Sequence, residues 1–182
     1  MSIFKKFEAA AQARAELTGE GPSAIATPID EVRSATRGVI DGQEVLLAGT
    51  NNYMGLTFDP DVIRASQDAL ARSGSGTTGS RMANGSYDGH SALERELADA
   101  FGWPAAIVFS TGYQANLGSL SGLASEGDYL FVDADSHASI YDGCRLSRAQ
   151  TVVFRHNDPE NLDRRLERLG EKASHAVVVV EG

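Results

Sequence analysis

Two segments of the chain carry the residue types best suited to chemistry, and each stands where an apolar run gives way to a helical pattern. Phe109-Ser-Thr-Gly-Tyr-Gln-Ala-Asn116 offers bare backbone amides at a glycine turn. Val132-Asp-Ala-Asp-Ser-His-Ala-Ser139 sets a histidine just past a strand. Free N–H groups at a helix start, together with the helix dipole, form an anion site. Gly112 lets the backbone come close, Thr111 adds a hydroxyl, and Tyr113 adds a ring or a phenol. His137, flanked by Asp135 and Ser136, is able to stack on a planar ring, bond a carboxylate or move a proton near neutral pH. In an open α/β sheet, successive strand ends open onto one edge, where ligands bind. An anion cradle and an ionisable ring on that edge point to a phosphorylated cofactor. Taken singly, an ordinary strand-to-helix turn accounts for the first segment and a helix-capping histidine for the second.

The elements that must position these residues follow from periodicity and punctuation. Strands are expected at 105–109, 129–133, 151–155 and 175–181, with helices at 113–124, 137–147 and 159–169 between them. Strict alternation with apolar strands implies a parallel sheet covered on both faces. Asp59-Pro60 and Asp158-Pro159 each pair a capping aspartate with proline at the first helical position; the former opens a helix to about Arg72. A loop from Gly74 to His90 holds Gly74, Gly76, Gly79, Gly85 and Gly89, and Ser91 opens a helix that Gly102 ends. Ahead of this lies a smaller arm over residues 1–57. It has a helix over 3–17, a break at Gly19 to Pro22, and strands at 34–40 and 44–48 joined by the hairpin dipeptide Asp41-Gly42.

Bulk composition narrows the function class. The 182 residues are 42% hydrophobic with a net charge of −9, which argues against non-specific binding to nucleic acid or anionic membranes. Apolar runs such as Ala176 to Val180 are strand-sized, with no transmembrane segment and no signal peptide in view. Cys144 stands alone, which suits a reducing, cytoplasmic setting. The four histidines are scattered and no ligand pair has chelate spacing, so no metal site is expected.

Gly74-Ser-Gly-Thr-Thr-Gly79 matches the dinucleotide fingerprint G-x-G-x-x-G, yet a helix precedes it and a polar loop follows. That fingerprint needs a strand before and a helix after. A substrate-lining loop is the better reading, with Arg81 and Asn84 as anion- and amide-binding groups. Asn52 and Tyr53 sit on a connection that reaches a cleft or simply makes a turn. His90 falls near a helix start, His156 ends a strand at the same sheet edge without evident supporting residues, and His175 starts a surface strand.

Four ordered motifs together resemble one family. They are Asn51-Asn-Tyr-Met-Gly55, Gly74-Ser-Gly-Thr-Thr-Gly-Ser-Arg81, Phe109 to Asn116, and Asp133-Ala-Asp-Ser-His-Ala-Ser-Ile-Tyr-Asp-Gly143. From about residue 45 onward the chain is similar to the α-oxoamine synthases, pyridoxal-phosphate enzymes of the fold type I aminotransferase superfamily. Its wording is most like the bacterial serine palmitoyltransferase branch. The resemblance implies the front part of a three-layer α/β sandwich with a mainly parallel sheet, carried over 58–182. It implies a decarboxylative condensation of an amino acid (serine favoured) with an acyl-CoA or acyl-carrier thioester, and a homodimer. Sister activities yield 8-amino-7-oxononanoate, 2-amino-3-ketobutyrate or 5-aminolevulinate. In such a protein Thr111, Gly112 and Tyr113 meet the cofactor phosphate, the latter two through backbone amides. His137 stacks on the pyridine ring and contacts the substrate carboxylate. Asn52, Tyr53, Arg81 and Asn84 border the substrate, partly across the dimer interface.

One departure stands out. The family's catalysis needs a Schiff-base lysine, and this chain has only Lys5, Lys6 and Lys172. None follows a site-forming strand end. The expectation is therefore part of a longer enzyme, inactive as it stands, with a non-catalytic subunit of the same fold as the alternative.

Overall fold

A computed structural model of the chain describes residues 3–18 and 27–181. It divides into two compact units, Met1–Thr78 and Gly79–Gly182. The sequence placed the change of character after residue 57.

In the first unit a 3-10 turn, Ile3–Phe7, leads into α1 (Glu8–Thr18), matching the helical spacing over 3–17. The Gly19 to Pro22 break lies outside the described residues. β1 (Glu31–Val32), β2 (Arg37–Ile40) and β3 (Gln43–Leu46) form an antiparallel sheet in that order. Asp41 and Gly42 have φ of 50° and 74°, the two positive values that a tight hairpin loop demands. β2 and β3 are shorter than the runs expected at 34–40 and 44–48. β1 was not anticipated, because two residues carry no periodicity. In α2 (Pro60–Ser73) the Asp59 carboxylate accepts the N–H groups of Asp61 at 2.9 Å and Val62 at 3.1 Å. Proline at the first position sacrifices a donor that would have been spare.

In the second unit α3 (Asp88–Phe101) begins three residues before Ser91. The reason is local: His90 Nδ1 accepts the Tyr87 N–H at 3.0 Å, a cap that winds the extra turn. Gly102, at φ 67°, ends the helix. Residues 105–109 do not form the expected strand. A strand needs a hydrogen-bonded neighbour, and here the Val108 N–H goes to the Glu94 carboxylate at 3.0 Å and its C=O accepts from Arg81 at 3.2 Å.

Beyond that point α4 (Gly112–Leu123), β4 (Tyr129–Asp133), α5 (Ala138–Ser147), β5 (Gln150–Phe154), α6 (Pro159–Leu169) and β6 (Ala176–Val179) follow the expected alternation. A 3-10 turn, Gly170–His175, occupies the start of the strand expected from residue 175. The sheet is parallel in the order β5-β4-β6, with Asp133 opposite Phe154 and Val132 opposite Val179. β4 is covered on both faces: Leu130, Phe131 and Val132 are all 0% exposed. Leu130 and Val132 join Leu120, Ala124, Ile140 and Cys144 in the core under α4 and α5. Burial holds the Cys144 thiol above its ordinary pKa. At the edge strands Val153, Val177 and Val178 are exposed. Among the described residues no helix is long and apolar enough to cross a membrane.

Candidate functional site

The starts of α4 and α5 lie side by side, and the contacts that join them are polar. At α4 the Thr111 hydroxyl accepts the Gln114 N–H at 3.1 Å, while the Thr111 carbonyl takes that of Ala115 at 3.0 Å. The amides of Gly112 and Tyr113 meet no acceptor among the described residues. A Cβ added at Gly112 would find nothing within 4 Å, so the chain is open on that side of the turn. This is an anion-binding geometry at the head of a twelve-residue helix.

At α5 the N-cap is His137 itself. Its ring Nδ1 accepts the Ser139 N–H at 3.2 Å and lies 2.8 Å from the Ser139 hydroxyl. That hydroxyl, 1% exposed, accepts from Asn116 Nδ2 at 2.9 Å, so one chain of bonds runs from α4 to the histidine. The His137 backbone N–H donates to the carboxylate of Glu181, just past β6. A carboxylate at a helix start also suits the dipole. The Ser136 hydroxyl beside it is buried without a partner. Tyr113 donates through its phenol to Asp142, which also accepts from Arg145 at 2.6 Å.

Beneath the α5 start sits a cross-strand pair that the sequence reading missed. Asp133, at the end of β4 and 7% exposed, lies 2.8 Å from His156 Nδ1 and accepts the N–H groups of Asp135 at 2.9 Å and Asn157 at 3.3 Å. His156 therefore does have supporting residues. The available signal was register: Phe154 faces Asp133, and His156 follows two residues later. The Asp135 amide, ahead of the His156 contact, holds the Asp133 carboxyl below the usual carboxylate range. Asp133 in turn raises the His156 pKa. Tyr141, also not singled out from sequence, donates to the Ala134 carbonyl at 3.0 Å and so ties the same turn to α5.

The remaining candidates are each described within their own unit. Arg81 is engaged by its own unit: it bonds Glu94 at 2.8 Å, the Ser86 hydroxyl at 2.9 Å and the Val108 carbonyl at 3.2 Å. Asn84 packs so tightly on Gly79 that a Cβ there would sit 1.8 Å from its amide oxygen. Gly79 thus serves loop packing, with no strand before it and no helix directly after. Asn52 and Tyr53 belong to the first unit. Asn52 donates to Thr57 at 2.8 Å and to the Ala35 carbonyl at 3.3 Å, whereas Tyr53 is 88% exposed. Lys172 lies in the turn entering β6, at the opposite end of the strands from His137.

A serine palmitoyltransferase of Caulobacter vibrioides (strain NA1000 / CB15N) is 52% identical over 182 residues, covering 100% of this chain and 45% of that protein. An 8-amino-7-oxononanoate synthase of Lysinibacillus sphaericus is 45% identical over 128 residues, 70% of this chain and 33% of its own length. Among solved structures, a serine palmitoyltransferase from S. paucimobilis with a bound PLP–myriocin aldimine superposes with a TM-score of 0.94. It is 49% identical over 100% of this chain and 47% of the other. The chain thus spans less than half the length of these relatives. Residues 43–182 match the family model described as aminotransferase class I and II, and the chain belongs to that family.

Proposed function

We propose that the full-length protein containing this chain is a pyridoxal-phosphate-dependent acyltransferase. It would join an amino acid, serine in the favoured case, to an acyl-CoA with loss of carbon dioxide, giving a 3-oxo amine. The observation that carries this reading is the pair of unmatched amides at Gly112 and Tyr113, at the start of the helix whose Asn116 is linked through Ser139 to His137. Two N–H donors, the Thr111 hydroxyl hydrogen and the open space at Gly112 suit a phosphate, and the exposed His137 ring suits a flat aromatic partner. When bound, pyridoxal phosphate supplies the electron sink for breaking a bond at the amino acid's α-carbon.

The chain's own residues do the rest. Thr111, Gly112 and Tyr113 anchor the phosphate. His137 lies against the ring and donates to the amino acid's carboxylate. Asn52, Tyr53, Arg81 and Asn84 border the substrate, partly across the dimer interface, and Arg81 also holds its own loop through three bonds. None of Lys5, Lys6 and Lys172 matches the lysine that the chemistry requires, so the 182 residues alone would be inactive. A cytoplasmic homodimer completes the reading. The similarity to an 8-amino-7-oxononanoate synthase favours a second one, with alanine in place of serine.

The test is thiol release by the full-length protein loaded with pyridoxal phosphate, given palmitoyl-CoA and serine, alanine or glycine in turn. Serine should be fastest, and His137→Ala should lower turnover about 100-fold or more. Preference for alanine would favour the second reading. No thiol release with any amino acid would overturn both.

A further inference from the structure

We infer that Ser139, oriented by Asn116, is a positioning residue that fixes the tautomer of His137, leaving Nδ1 bare and the proton on Nε2. The argument starts from a group that only donates. The Ser139 backbone N–H points at His137 Nδ1 from 3.2 Å, and a peptide N–H has no lone pair to offer in return. A hydrogen on Nδ1 would therefore face another hydrogen.

The hydroxyl reinforces the amide. Ser139 Oγ accepts from Asn116 Nδ2 at 2.9 Å, and its own single hydrogen finds His137 Nδ1 at 2.8 Å. Both donors converge on one nitrogen, and Ser139 is too deeply buried for water to replace either. The ring's remaining nitrogen, Nε2, meets no acceptor among the described residues, so its N–H is the group presented outward. The site thus offers a neutral, directional donor rather than a lone pair. Asn116 makes this arrangement one-way: as a donor it forbids the hydroxyl from turning toward α4.

That this donor serves a substrate carboxylate rests on the function proposed above; the tautomer does not. The experiment is a long-range nitrogen–proton correlation spectrum of ¹⁵N-labelled full-length protein without cofactor. It is recorded about two pH units above the ordinary histidine pKa, with His137 assigned by its loss in His137→Gln. The inference expects Nδ1 at the shift of an unprotonated nitrogen accepting hydrogen bonds, and Nε2 at that of a protonated one. Ser139→Ala should move Nδ1 toward the value of a bare ring nitrogen. Asn116→Asp, whose carboxylate captures the hydroxyl hydrogen, should move it the same way. A proton on Nδ1 in the unaltered protein, or a Nδ1 shift indifferent to both substitutions, would overturn the inference. Should the variants not fold, the unaltered protein's spectrum alone decides the tautomer. In the loaded enzyme Ser139→Ala should raise the amino acid KM about fivefold, the loss of one ordinary hydrogen bond, and leave the acyl-CoA KM within about twofold. Absence of any turnover beside the expected spectrum would strike the function reading and spare this one.

Discussion

The phenol of Tyr113 donates to the carboxylate of Asp142, joining the first turn of α4 to the middle of α5. The two groups shift each other in opposite directions. Tyr113 is held above the ordinary tyrosine pKa, chiefly because Asp142 accepts from its neutral form, with burial adding to the effect. Asp142 is held below the ordinary carboxylate value, first by Tyr113 and then by Arg145. A tyrosine raised in the folded state lends its stabilisation below about pH 10 and loses it as pH climbs through the raised value. In an absorbance titration one tyrosine should therefore ionise late. Asp142→Asn should return it to the ordinary range, and Tyr113→Phe should delete it. An unchanged profile in Asp142→Asn would refute the coupling.

The Asp133–His156 pair predicts a two-sided pH dependence of stability. The raised His156 pKa means its contribution is complete below the ordinary histidine value, about 6.5, and fades as pH rises through the higher folded value. The lowered Asp133 pKa means the reverse: complete above about 4, fading as pH falls through the lower folded value. Between those limits both contributions stand. Urea midpoints measured across pH should fall on the alkaline side in the unaltered protein, and His156→Gln should flatten that limb. If His156→Gln keeps the alkaline limb unchanged, the pair is not its source.

Gly143→Ala should be costly for its size. An added Cβ would lie 2.9 Å from Leu120 Cδ1 and 3.0 Å from the Asn116 carbonyl oxygen, which is backbone and has nowhere to retreat. Overpacking of this kind costs about 1–3 kcal/mol. The same displacement moves Asn116 relative to Ser139, so the His137 nitrogen shifts should change along with the melting temperature. A normal melt would show that α4 slides freely on α5.

Thr111→Ala removes the side-chain cap of α4 and should lower stability by about 1 kcal/mol. It also removes the hydroxyl beside the anion site. Phosphate-dependent protection of the apo-protein should weaken accordingly, while Thr111→Ser should retain both. Equal phosphate protection in Thr111→Ala and the unaltered protein would exclude the hydroxyl from the anion site.

Where the determinants of structure are local, the sequence reveals them. Asp59-Pro60 and Asp158-Pro159 set their helix starts because the cap and the ring act within one turn. β4 reads to the residue because four successive positions, Leu130 to Asp133, are buried together. Residues 105–109 read as a strand and are not one, since strandedness belongs to a pair and these residues have Glu94 and Arg81 for partners instead. His137 and Gly112 stood out by residue type and place. Ser139, Asn116 and Asp133 did not, because their roles depend on how α4 registers against α5 and β4 against β5 over separations of 23 residues. No local pattern encodes a registration of that kind.

The sheet order has a temporal side. β4 gains β5 within a few residues of α5, but its second neighbour, β6, comes only after α6, and the Glu181 that receives the His137 amide lies 44 positions beyond that histidine. At about 5–20 residues per second of synthesis, a nascent chain carries β4 as an open edge for roughly 2 to 9 s. During that interval the most deeply buried strand among the described residues offers an unpaired row of amides and carbonyls to any other extended segment nearby. A chaperone that shields exposed β edges would therefore act on this protein in a defined window, which closes when Glu181 reaches the α5 start.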